Sequence, residues 1–451
     1  MTAAGQHPAR AASRPRGAAL LRSTELRWVA GLTLVALALR LAFALAIDRE
    51  SLPFNDMLFY HSTAKALADG LGFISLDQNP TARWPPGFPY LLSLVYRVFG
   101  SDHAYAELMN AVLGAATVPL AYVAARRAFD RRTALVAAGA LALMPGQILY
   151  AESILAEPLY TFVLVGFVAL LVGLPDRRRS AVLIGLAIGI AALTRGEGLL
   201  LLAVPPFVWW GVMPRRELYV RTGIATLAAV LAIAPWTVRN AIVLDAFVPV
   251  STNSSQTFWA GHNPTANGGA TYARGEIYAE LQNLPKDRFE IEQAQLLRRE
   301  ALDYMVGHPL RELSLIPRKL LYLSLGDSRA IQSGSTLSQR AAQGAPVTGG
   351  ITPVVVPTAN AAVLLGVVAD LAWFGLLALF VLSLVVLWPV LWRNPLGRAG
   401  MGLTAISLVL YGFVFYGNFR YRMPLEPIMI LLAAPLLTRV WERRSLLRPP
   451  A

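Results

Sequence analysis

Residues 361–390 read AAVLLGVVADLAWFGLLALFVLSLVVLWPV, with Asp370 as the single charged side chain. This run exceeds the roughly 20 apolar residues that an α-helix needs to cross a bilayer. The whole chain shares its character, because hydrophobic residues make up 55% and charged residues only 15% of the 451 positions. Soluble domains carry about 25% charged residues. The composition therefore predicts a protein whose main solvent is lipid.

Several kinds of chemistry are excluded by what the sequence lacks. It has no cysteine, which excludes thiol nucleophiles, disulfides and thiolate metal sites. It has no Gly-rich nucleotide-binding motif, no HExxH and no GxSxG elbow. The net charge is +13, but the arginines stand in short clusters between apolar runs rather than on one soluble face. Nucleic-acid binding is therefore not indicated.

Ten apolar runs predict transmembrane helices, which makes the chain an all-α polytopic membrane protein. They cover residues 28–47, 104–125, 133–150, 157–174, 180–194, 198–213, 219–238, 361–390, 400–417 and 424–440. Arginine clusters fill the N-terminal tail and follow every second run. Because positively charged loops stay in the cytoplasm, both tails, 1–27 and 441–451, are predicted to be cytoplasmic. The Ala- and Arg-rich, Lys-poor composition is typical of a GC-rich bacterial genome, which indicates the inner membrane of a cell.

The N-terminal run has a second interpretation. Ala42-Phe43-Ala44-Leu45-Ala46 resembles a cleavage site, so residues 1–47 also fit a secretory signal peptide. The apolar run is longer than the core of a usual signal peptide, which favours a retained first helix.

Two segments are predicted to lie outside the membrane on the far side. The first, 48–103, contains a helix at 56–70 and an interfacial helix at 86–99. The second, 239–360, begins with a loop at 251–270 and ends with a Ser/Gly/Gln/Pro-rich stretch at 331–358 that we expect to be mobile. Its middle contains an amphipathic helix at 287–306 and a basic, membrane-skimming helix at 309–325. The predicted transmembrane helices therefore form two groups, within 28–238 and within 361–440.

Charged residues on the external face have no topological explanation and are candidates for a functional site. They are the basic Lys65, Arg83, Arg195, Arg239, Arg420 and Arg422 and the acidic Asp48, Asp56, Glu107, Glu152, Glu157 and Glu197. For each residue alone, a solvated interfacial charge is the ordinary interpretation. As a set on one face, they fit an external site for a phosphorylated lipid head group.

Asp56 is the sharpest candidate, because a carboxylate at the membrane surface suits a general base for a hydroxyl acceptor. Tyr60 and His61 stand one turn further on, on or near the same helix face. The alternative role is structural, since Asp at a helix N-terminus caps free N–H groups. The sequence leaves both roles open.

Two arginine-bearing turns complete the candidate site. In Arg83-Trp84-Pro85-Pro86-Gly87-Phe88-Pro89 the prolines predict a rigid elbow, which would hold the Arg83 guanidinium for a phosphate. In the turn 418–427, Arg420 and Arg422 are either membrane-surface anchors or anion ligands.

Eight motifs follow one another in a familiar order. They are Asp56 with Tyr60, RWPPGFP at 83–89, Phe99-Gly100, AARR at 124–127, the stretch 145–157, LTRGEG at 193–198, APWTVRN at 234–240 and RYRMP at 420–424. Together they resemble the GT-C superfamily of polyprenyl-phosphate-sugar-dependent glycosyltransferases, particularly the branch of protein O-mannosyltransferases and the aminoarabinose transferase of lipid A. The resemblance covers most of 28–440.

The resemblance implies a GT-C bundle of about ten helices and a sugar donor on polyprenyl monophosphate. The sugar would pass, with inversion, to a hydroxyl of a lipid, glycan or protein acceptor outside the membrane. Asp56 maps to the general base and Arg83 to the donor phosphate, with Arg420, Arg422, Lys65 and Arg195 as further phosphate candidates. The candidates for the sugar or acceptor site are Tyr60, His61, Glu152, Glu157 and Trp259.

One departure from the family leaves metal use open. Protein mannosyltransferases often pair two adjacent acids in the first loop, whereas Asp56 stands between Asn55 and Met57. If a divalent cation such as Mg²⁺ or Mn²⁺ binds, Glu152 or Glu157 would be the partner acid of Asp56.

A non-catalytic lipid flippase or solute transporter is the alternative function. Such a protein would place polar residues in its span centres and build discontinuous helices into internal repeats. No repeat is evident here, and Arg40 and Asp370 are expected to snorkel from span ends. A structural envelope protein would need no acids and arginines in one site. Convergence of Asp56, Arg83 and Arg420 at one cavity mouth would separate these functions.

Overall fold

The computed structural model describes residues 23–46, 56–173, 178–271, 276–285, 288–333, 354–356 and 358–446. Helices dominate this part of the chain, which confirms the predicted all-α fold class. The α-helices are α1 (Ser23–Ala46), α2 (Asp56–Ala68), α3 (Gly87–Phe99), α4 (His103–Ala128), α5 (Arg131–Leu143), α6 (Pro145–Leu149), α7 (Glu157–Gly173), α8 (Arg178–Thr194), α9 (Val204–Trp209), α10 (Arg215–Val243), α11 (Asn253–Gly261), α12 (Glu276–Gln282), α13 (Phe289–Gly307), α14 (Pro309–Ser324), α15 (Ala359–Arg393), α16 (Pro395–Val409) and α17 (Glu426–Leu446). Tighter 3₁₀ segments span Tyr150–Glu152, Gly196–Ala203, Asp327–Ala330 and Phe419–Leu425, and a π-helical turn spans Leu410–Val414.

Within the described residues, six helical segments are long and apolar enough to cross a membrane, so the chain is a multi-pass membrane protein. They are Thr24–Ala46, His103–Ala128, Arg215–Val243, Ala359–Arg393, Pro395–Val414 and Phe419–Val440. The other four predicted spans correspond to shorter helices: α5, α7 and α8 have 13, 17 and 17 residues, and the fourth is divided between a 3₁₀ segment and α9. The number of ten spans stays a prediction.

The bundle is built around α4, which packs against α1, α5 and α7. The buried surface of α4 is rich in alanine, including Ala111, Ala115, Ala121 and Ala125. Because lipid offers no hydrophobic drive between helices, close packing of small residues is what holds such a bundle together. The alanine content of the chain is therefore part of its fold.

α8 and α10 pack closely at Gly185 and Gly189. A Cβ atom added at Gly185 would lie 2.2 Å from the carbonyl oxygen of Ala225, and one at Gly189 would lie 2.6 Å from Cβ of Ala232. Neither distance leaves room for a methyl group, so α8 and α10 can pack this closely only because both positions are glycine.

Gly185→Ala is expected to lower the apparent unfolding temperature of the purified protein in detergent by several degrees. The added methyl group must separate α8 from α10, and overpacking of this kind costs about 1–3 kcal/mol. Gly223→Ala is the matched control in the same helix pair, because a Cβ there meets nothing within 4 Å. Equal unfolding temperatures for the two variants would contradict the close packing.

The segment 48–103, which was predicted to be external, contains both predicted helices in its described part. α2 and α3 pack against each other through a hydrophobic cluster that contains Tyr60, Phe88 and Leu92. The same cluster includes Ile154, three residues before α7, and Met423, from the turn before α17. One apolar core therefore fixes three segments that also carry charged side chains.

The predicted loop at 251–270 is wrong in its first half, where α11 forms. Its sequence NSSQTFWAG is rich in residues that favour caps and turns over helix interiors. The helix is stabilised by tertiary packing instead, since Trp259 is buried against Leu281, Leu296 and Leu297. The predicted helices at 287–306 and 309–325 correspond to α13 and α14.

A short parallel pair of strands lies at the end of the second external segment. β1 (Ile331–Ser333) pairs with β2 (Val354–Val356), with Ile331 opposite Val354. Both strands fall inside the stretch 331–358 that was predicted to be mobile. The rest of that stretch, 334–353 and 357, lies outside the described residues.

The expectation that Arg40 and Asp370 snorkel to solvent is wrong. Arg40 is 1% exposed and donates hydrogen bonds to the carbonyls of Ala36 and Ala142, at 3.0 and 3.4 Å. Ala142 is in the last turn of α5, whose carbonyls have no partner within the helix. Asp370 accepts from the backbone N and the hydroxyl of Ser328, at 2.8 and 2.7 Å. Arg40 therefore stabilises the end of α5, and Asp370 stabilises the 3₁₀ segment Asp327–Ala330.

Candidate active site

Four charged residues from separate segments meet at one end of the bundle. Asp56 is the first residue of α2, Glu157 is the first residue of α7, and Arg195 follows α8. Arg420 lies in the 3₁₀ segment Phe419–Leu425 that precedes α17. The acids begin helices, where the positive end of the helix dipole stabilises negative charge. The arginines lie in the breaks between helices, so the fold brings opposite charges together.

Arg420 links the two acids. Its Nη1 donates to Oδ2 of Asp56 at 2.7 Å, and its Nε donates to Oε1 of Glu157. The contact between Asp56 and Arg420 joins residues that are 364 positions apart in the chain. Asp56 and Arg420, two of the three residues whose convergence would separate the candidate functions, are therefore in direct contact.

Glu157 is the buried centre of the charge network. Its side chain is 0% exposed, and Oε1 accepts a second hydrogen bond from Nη1 of Arg195 at 2.6 Å. Its other oxygen, Oε2, is buried without a hydrogen-bond partner among the described residues. One fully buried carboxylate thus holds two guanidinium groups in place.

Arg195 extends the network to Glu197, which was one of the candidate acids, and to two tyrosines that the sequence did not single out. It donates through Nε to Glu197, which also accepts from the hydroxyl of Tyr411 at 3.2 Å. Its guanidinium lies 5.6 Å from the ring centroid of Tyr421, and that ring stacks on Tyr411 at 4.7 Å. Burial alone would lower the pKa of Arg195, but the charges of Glu197 and Glu157 raise it well above its ordinary value, so the group stays cationic.

The sequence carries a local signal for Glu197 and Tyr421 but not for Tyr411. Glu197 follows Arg195 by two residues in the LTRGEG motif, and Tyr421 stands between Arg420 and Arg422. Tyr411 lies within an apolar membrane run and has no local signal. Only the fold brings it to Glu197.

Arg83 lies beside the network without joining it. Its Nη2 donates to Oε1 of Gln256 at 2.9 Å, and its guanidinium lies 5.7 Å from the ring centroid of Phe59 in α2. Its Nε is buried without a hydrogen-bond partner among the described residues. Burial lowers the pKa of Arg83, and the charges of Glu290 and Asp56 oppose that shift. Arg83 is thus electrostatically coupled to Asp56 but does not touch it.

Tyr60 forms part of the apolar wall next to Asp56. Its ring lies 5.1 Å from that of Phe88 and 5.6 Å from that of Trp84. Burial, together with the charges of Asp56 and Glu157, raises the pKa of the Tyr60 phenol above its ordinary value. The hydroxyl therefore stays protonated at physiological pH.

Arg422 belongs to a separate buried cluster. It donates to Asp327 and to the carbonyl of Leu325, the latter at 2.7 Å, and its guanidinium lies 3.8 Å from the ring centroid of Trp373. Glu426 approaches it to 3.6 Å. With 3% exposure and these partners, Arg422 anchors the turn that carries Arg420.

The remaining predicted site residues are engaged elsewhere or lie outside the described side chains. Lys65 forms an exposed ion pair with Asp69 at 2.6 Å. His61 Nδ1 lies 2.8 Å from the hydroxyl of Tyr96. Trp259 is buried in the α11 cluster described above. The side chain of Glu152 is outside the part that the structure describes.

The acids of the described site do not form a metal centre. Among the described residues, no group of three or more Asp, Glu and His side chains is arranged to hold a metal ion. Asp56 and Glu157 both contact Arg420, which occupies the space between them and compensates their charge. These two residues therefore do not fit a shared divalent cation.

Comparison with known proteins gives one family match. Residues 83–238 match the family model described as dolichyl-phosphate-mannose-protein mannosyltransferase. This region begins at Arg83 and includes Glu157 and Arg195. No curated protein sequence matches the chain.

Solved structures share the fold at low sequence identity. The Archaeoglobus fulgidus oligosaccharyltransferase in complex with Zn and sulfate has a TM-score of 0.55 and 13% identity, over 93% of this chain and 50% of that chain. AglB from the same organism, in complex with an inhibitory peptide and a dolichol-phosphate, has a TM-score of 0.53 and 15% identity, over 94% and 52%. ArnT from Cupriavidus metallidurans in the apo state has a TM-score of 0.52 and 16% identity, over 93% and 62%. The chain spans about half the length of the oligosaccharyltransferase.

Proposed function

We propose that this chain, which has the GT-C fold, is a membrane glycosyltransferase that moves a sugar from a polyprenyl-phosphate carrier to an acceptor hydroxyl on the external face. The observation that carries the proposal is the contact of Asp56 with Arg420, which brings the proposed base and a proposed phosphate ligand together. The match of residues 83–238 to a family named for a dolichyl-phosphate-mannose donor supports this class of donor. The dolichol-phosphate bound to AglB supports it on the same fold.

The reaction is a single displacement with inversion at the anomeric carbon. The acceptor oxygen attacks that carbon, the carboxylate of Asp56 takes the hydroxyl proton, and the bond from the anomeric carbon to the phosphate oxygen breaks. The carrier phosphate leaves with the electron pair. Developing charge on that phosphate is what a preorganised guanidinium stabilises, and Arg420 is the cation nearest to the base.

Arg83 is proposed as a second ligand of the donor phosphate. Its guanidinium lies over Phe59, one turn along α2 from Asp56, and its Nε has no partner among the described residues. A planar guanidinium with a free N–H edge suits phosphate oxygens.

An external site agrees with the distribution of arginines. The segments that carry Asp56, Glu157, Arg195 and Arg420 are the ones that the charge alternation predicts on the external side. Their meeting at one end of the bundle supports that topology, with both termini in the cytoplasm.

Transfer of label is the direct test of this function. The purified chain is incubated with radiolabelled polyprenyl-phosphate sugars and a panel of lipid, glycan and peptide acceptors that carry hydroxyl groups. We expect label to move to one acceptor class and the bare polyprenyl phosphate to accumulate. Passage of intact donor across vesicles that contain the chain, without any transfer, would instead identify a flippase.

A further inference from the structure

Arg420 holds one of the two oxygens of the carboxylate that serves as base in the proposed reaction. Its Nη1 donates to Oδ2 of Asp56 at 2.7 Å, so one oxygen of the base is already used and the carboxylate plane is fixed by the hydrogen bond. A general base must present a free oxygen to the proton that it takes. While Arg420 holds Oδ2, only Oδ1 of Asp56 is available to take the acceptor proton.

The side chains of this charge network differ in their exposure to solvent. Glu157 is 0% exposed and Arg195 is 13% exposed, whereas Arg420 is 18% and Asp56 is 28% exposed. The inner contacts of Arg420 are protected by this burial, and its outer contact with Asp56 is accessible to a ligand. The contact between Arg420 and Asp56 is half-buried, so it is the contact of Arg420 that a ligand reaches first.

Glu157 and Asp56 accept hydrogen bonds from different nitrogen atoms of Arg420. The hydrogen bond from Nε of Arg420 to Glu157 does not involve the Nη1 group that contacts Asp56. Arg195 holds the same oxygen of Glu157 from the other side, at 2.6 Å. Arg420 can therefore release Asp56 while it stays anchored.

A phosphate is the ligand that would compete best for the outer edge of Arg420. In the donor it is a diester that carries one negative charge and offers two unesterified oxygens to a guanidinium, and in the released carrier it is a monoester that carries nearly two charges. Arg83 adds a second positive charge near Asp56, with a buried Nε that has no partner among the described residues. An anion drawn between Arg83 and Arg420 would arrive next to the carboxylate that Arg420 holds.

We propose that Arg420 exchanges the Asp56 carboxylate for the phosphate of the bound donor, so that the base is released only when the donor is in place. This inference rests on the proposed function, because it takes a polyprenyl phosphate as the ligand. Asp56 then turns to the acceptor hydroxyl, while Arg420 remains on the phosphate through bond cleavage. When the carrier leaves, the pair of Asp56 and Arg420 re-forms and the site returns to its resting state.

The test measures how accessible the Asp56 carboxylate is in the full-length native protein. The purified chain in detergent is treated with a water-soluble carbodiimide and glycine ethyl ester, and mass spectrometry quantifies amidation at Asp56. The arms contain no addition, polyprenyl phosphate, polyprenol without phosphate, or inorganic phosphate. Asp102, an exposed helix cap, serves as the internal reference. Native mass spectrometry records lipid binding separately.

We expect polyprenyl phosphate to increase labelling of Asp56 several-fold relative to Asp102, and polyprenol to leave it unchanged. The same increase with inorganic phosphate at higher concentration would show that the anion alone drives the exchange. An increase with the lipid only would show that the carrier chain delivers the phosphate. In Arg420→Ala, Asp56 should label strongly without any lipid and should not respond to it.

Two results would overturn the exchange, and they have different consequences. Bound polyprenyl phosphate with unchanged or reduced labelling of Asp56 would refute the exchange and leave the proposed function intact. Failure of the lipid to bind would refute the donor class, and the exchange with it. The lipid arms use the native chain, so the conclusion does not depend on whether Arg420→Ala folds.

Discussion

Asp56→Asn is expected to reduce sugar transfer by about 10²–10⁴-fold, which is the contribution of a positioned general base. Asparagine keeps the shape of the side chain and an oxygen that accepts the hydrogen bond from Arg420, but it cannot take the acceptor proton. It also caps a helix about as well as aspartate does, so α2 should stay folded. Single-turnover transfer from labelled donor, measured beside the apparent unfolding temperature, checks both expectations.

Asp102→Asn is the matched control in the same external segment. Asp102 caps α4 by accepting a hydrogen bond from the backbone N of Ala104 at 2.9 Å, and its side chain is 62% exposed. This variant should transfer sugar at the normal rate. If Asp56→Asn behaves in the same way, Asp56 is a cap and not a base, and Glu152 becomes the next acid to test.

Glu157→Gln is expected to have the second large effect, on stability as well as on activity. Removing one partner of a buried ion pair costs about 3–5 kcal/mol, because the opposite charge is left buried without compensation. Here two arginines lose their shared carboxylate, since Arg195 and Arg420 both donate to Oε1 of Glu157. We expect a clearly lower unfolding temperature and loss of transfer even at temperatures where the variant is folded.

Asp69→Asn is the matched control for this change. It also converts an acid to its amide and breaks an ion pair, but Asp69 and its partner Lys65 are 48% and 49% exposed. Exposed pairs of this kind contribute little, so stability and transfer should be unchanged. A Glu157→Gln variant as stable as Asp69→Asn would show that the buried carboxylate does not hold the two arginines.

The membrane fold was predictable because its signals are local. Apolar runs and arginine clusters are properties of short windows, and they predicted the membrane class, α2, α3 and the order of the helices. α11 was missed for the opposite reason: its own residues favour turns, and its stability comes from the packing of Trp259 against distant leucines. Arg40 was misjudged likewise, since its partner Ala142 is 102 positions away.

The same distinction between local signals and distant contacts applies to the candidate site. The arginine clusters in the sequence predicted which acids and arginines share one side of the membrane, because topology follows from the charge bias of each loop. The sequence could not determine their partners, since Asp56 and Arg420 are 364 positions apart and ion pairing depends on distance in space. The three-dimensional packing sets these partners: Arg420 joins Asp56 to Glu157, Arg422 turns inward to Asp327, and Lys65 pairs with Asp69 in solvent. Burial makes these pairs differ in importance, because an unpaired charge costs several kcal/mol in the interior and little at the surface.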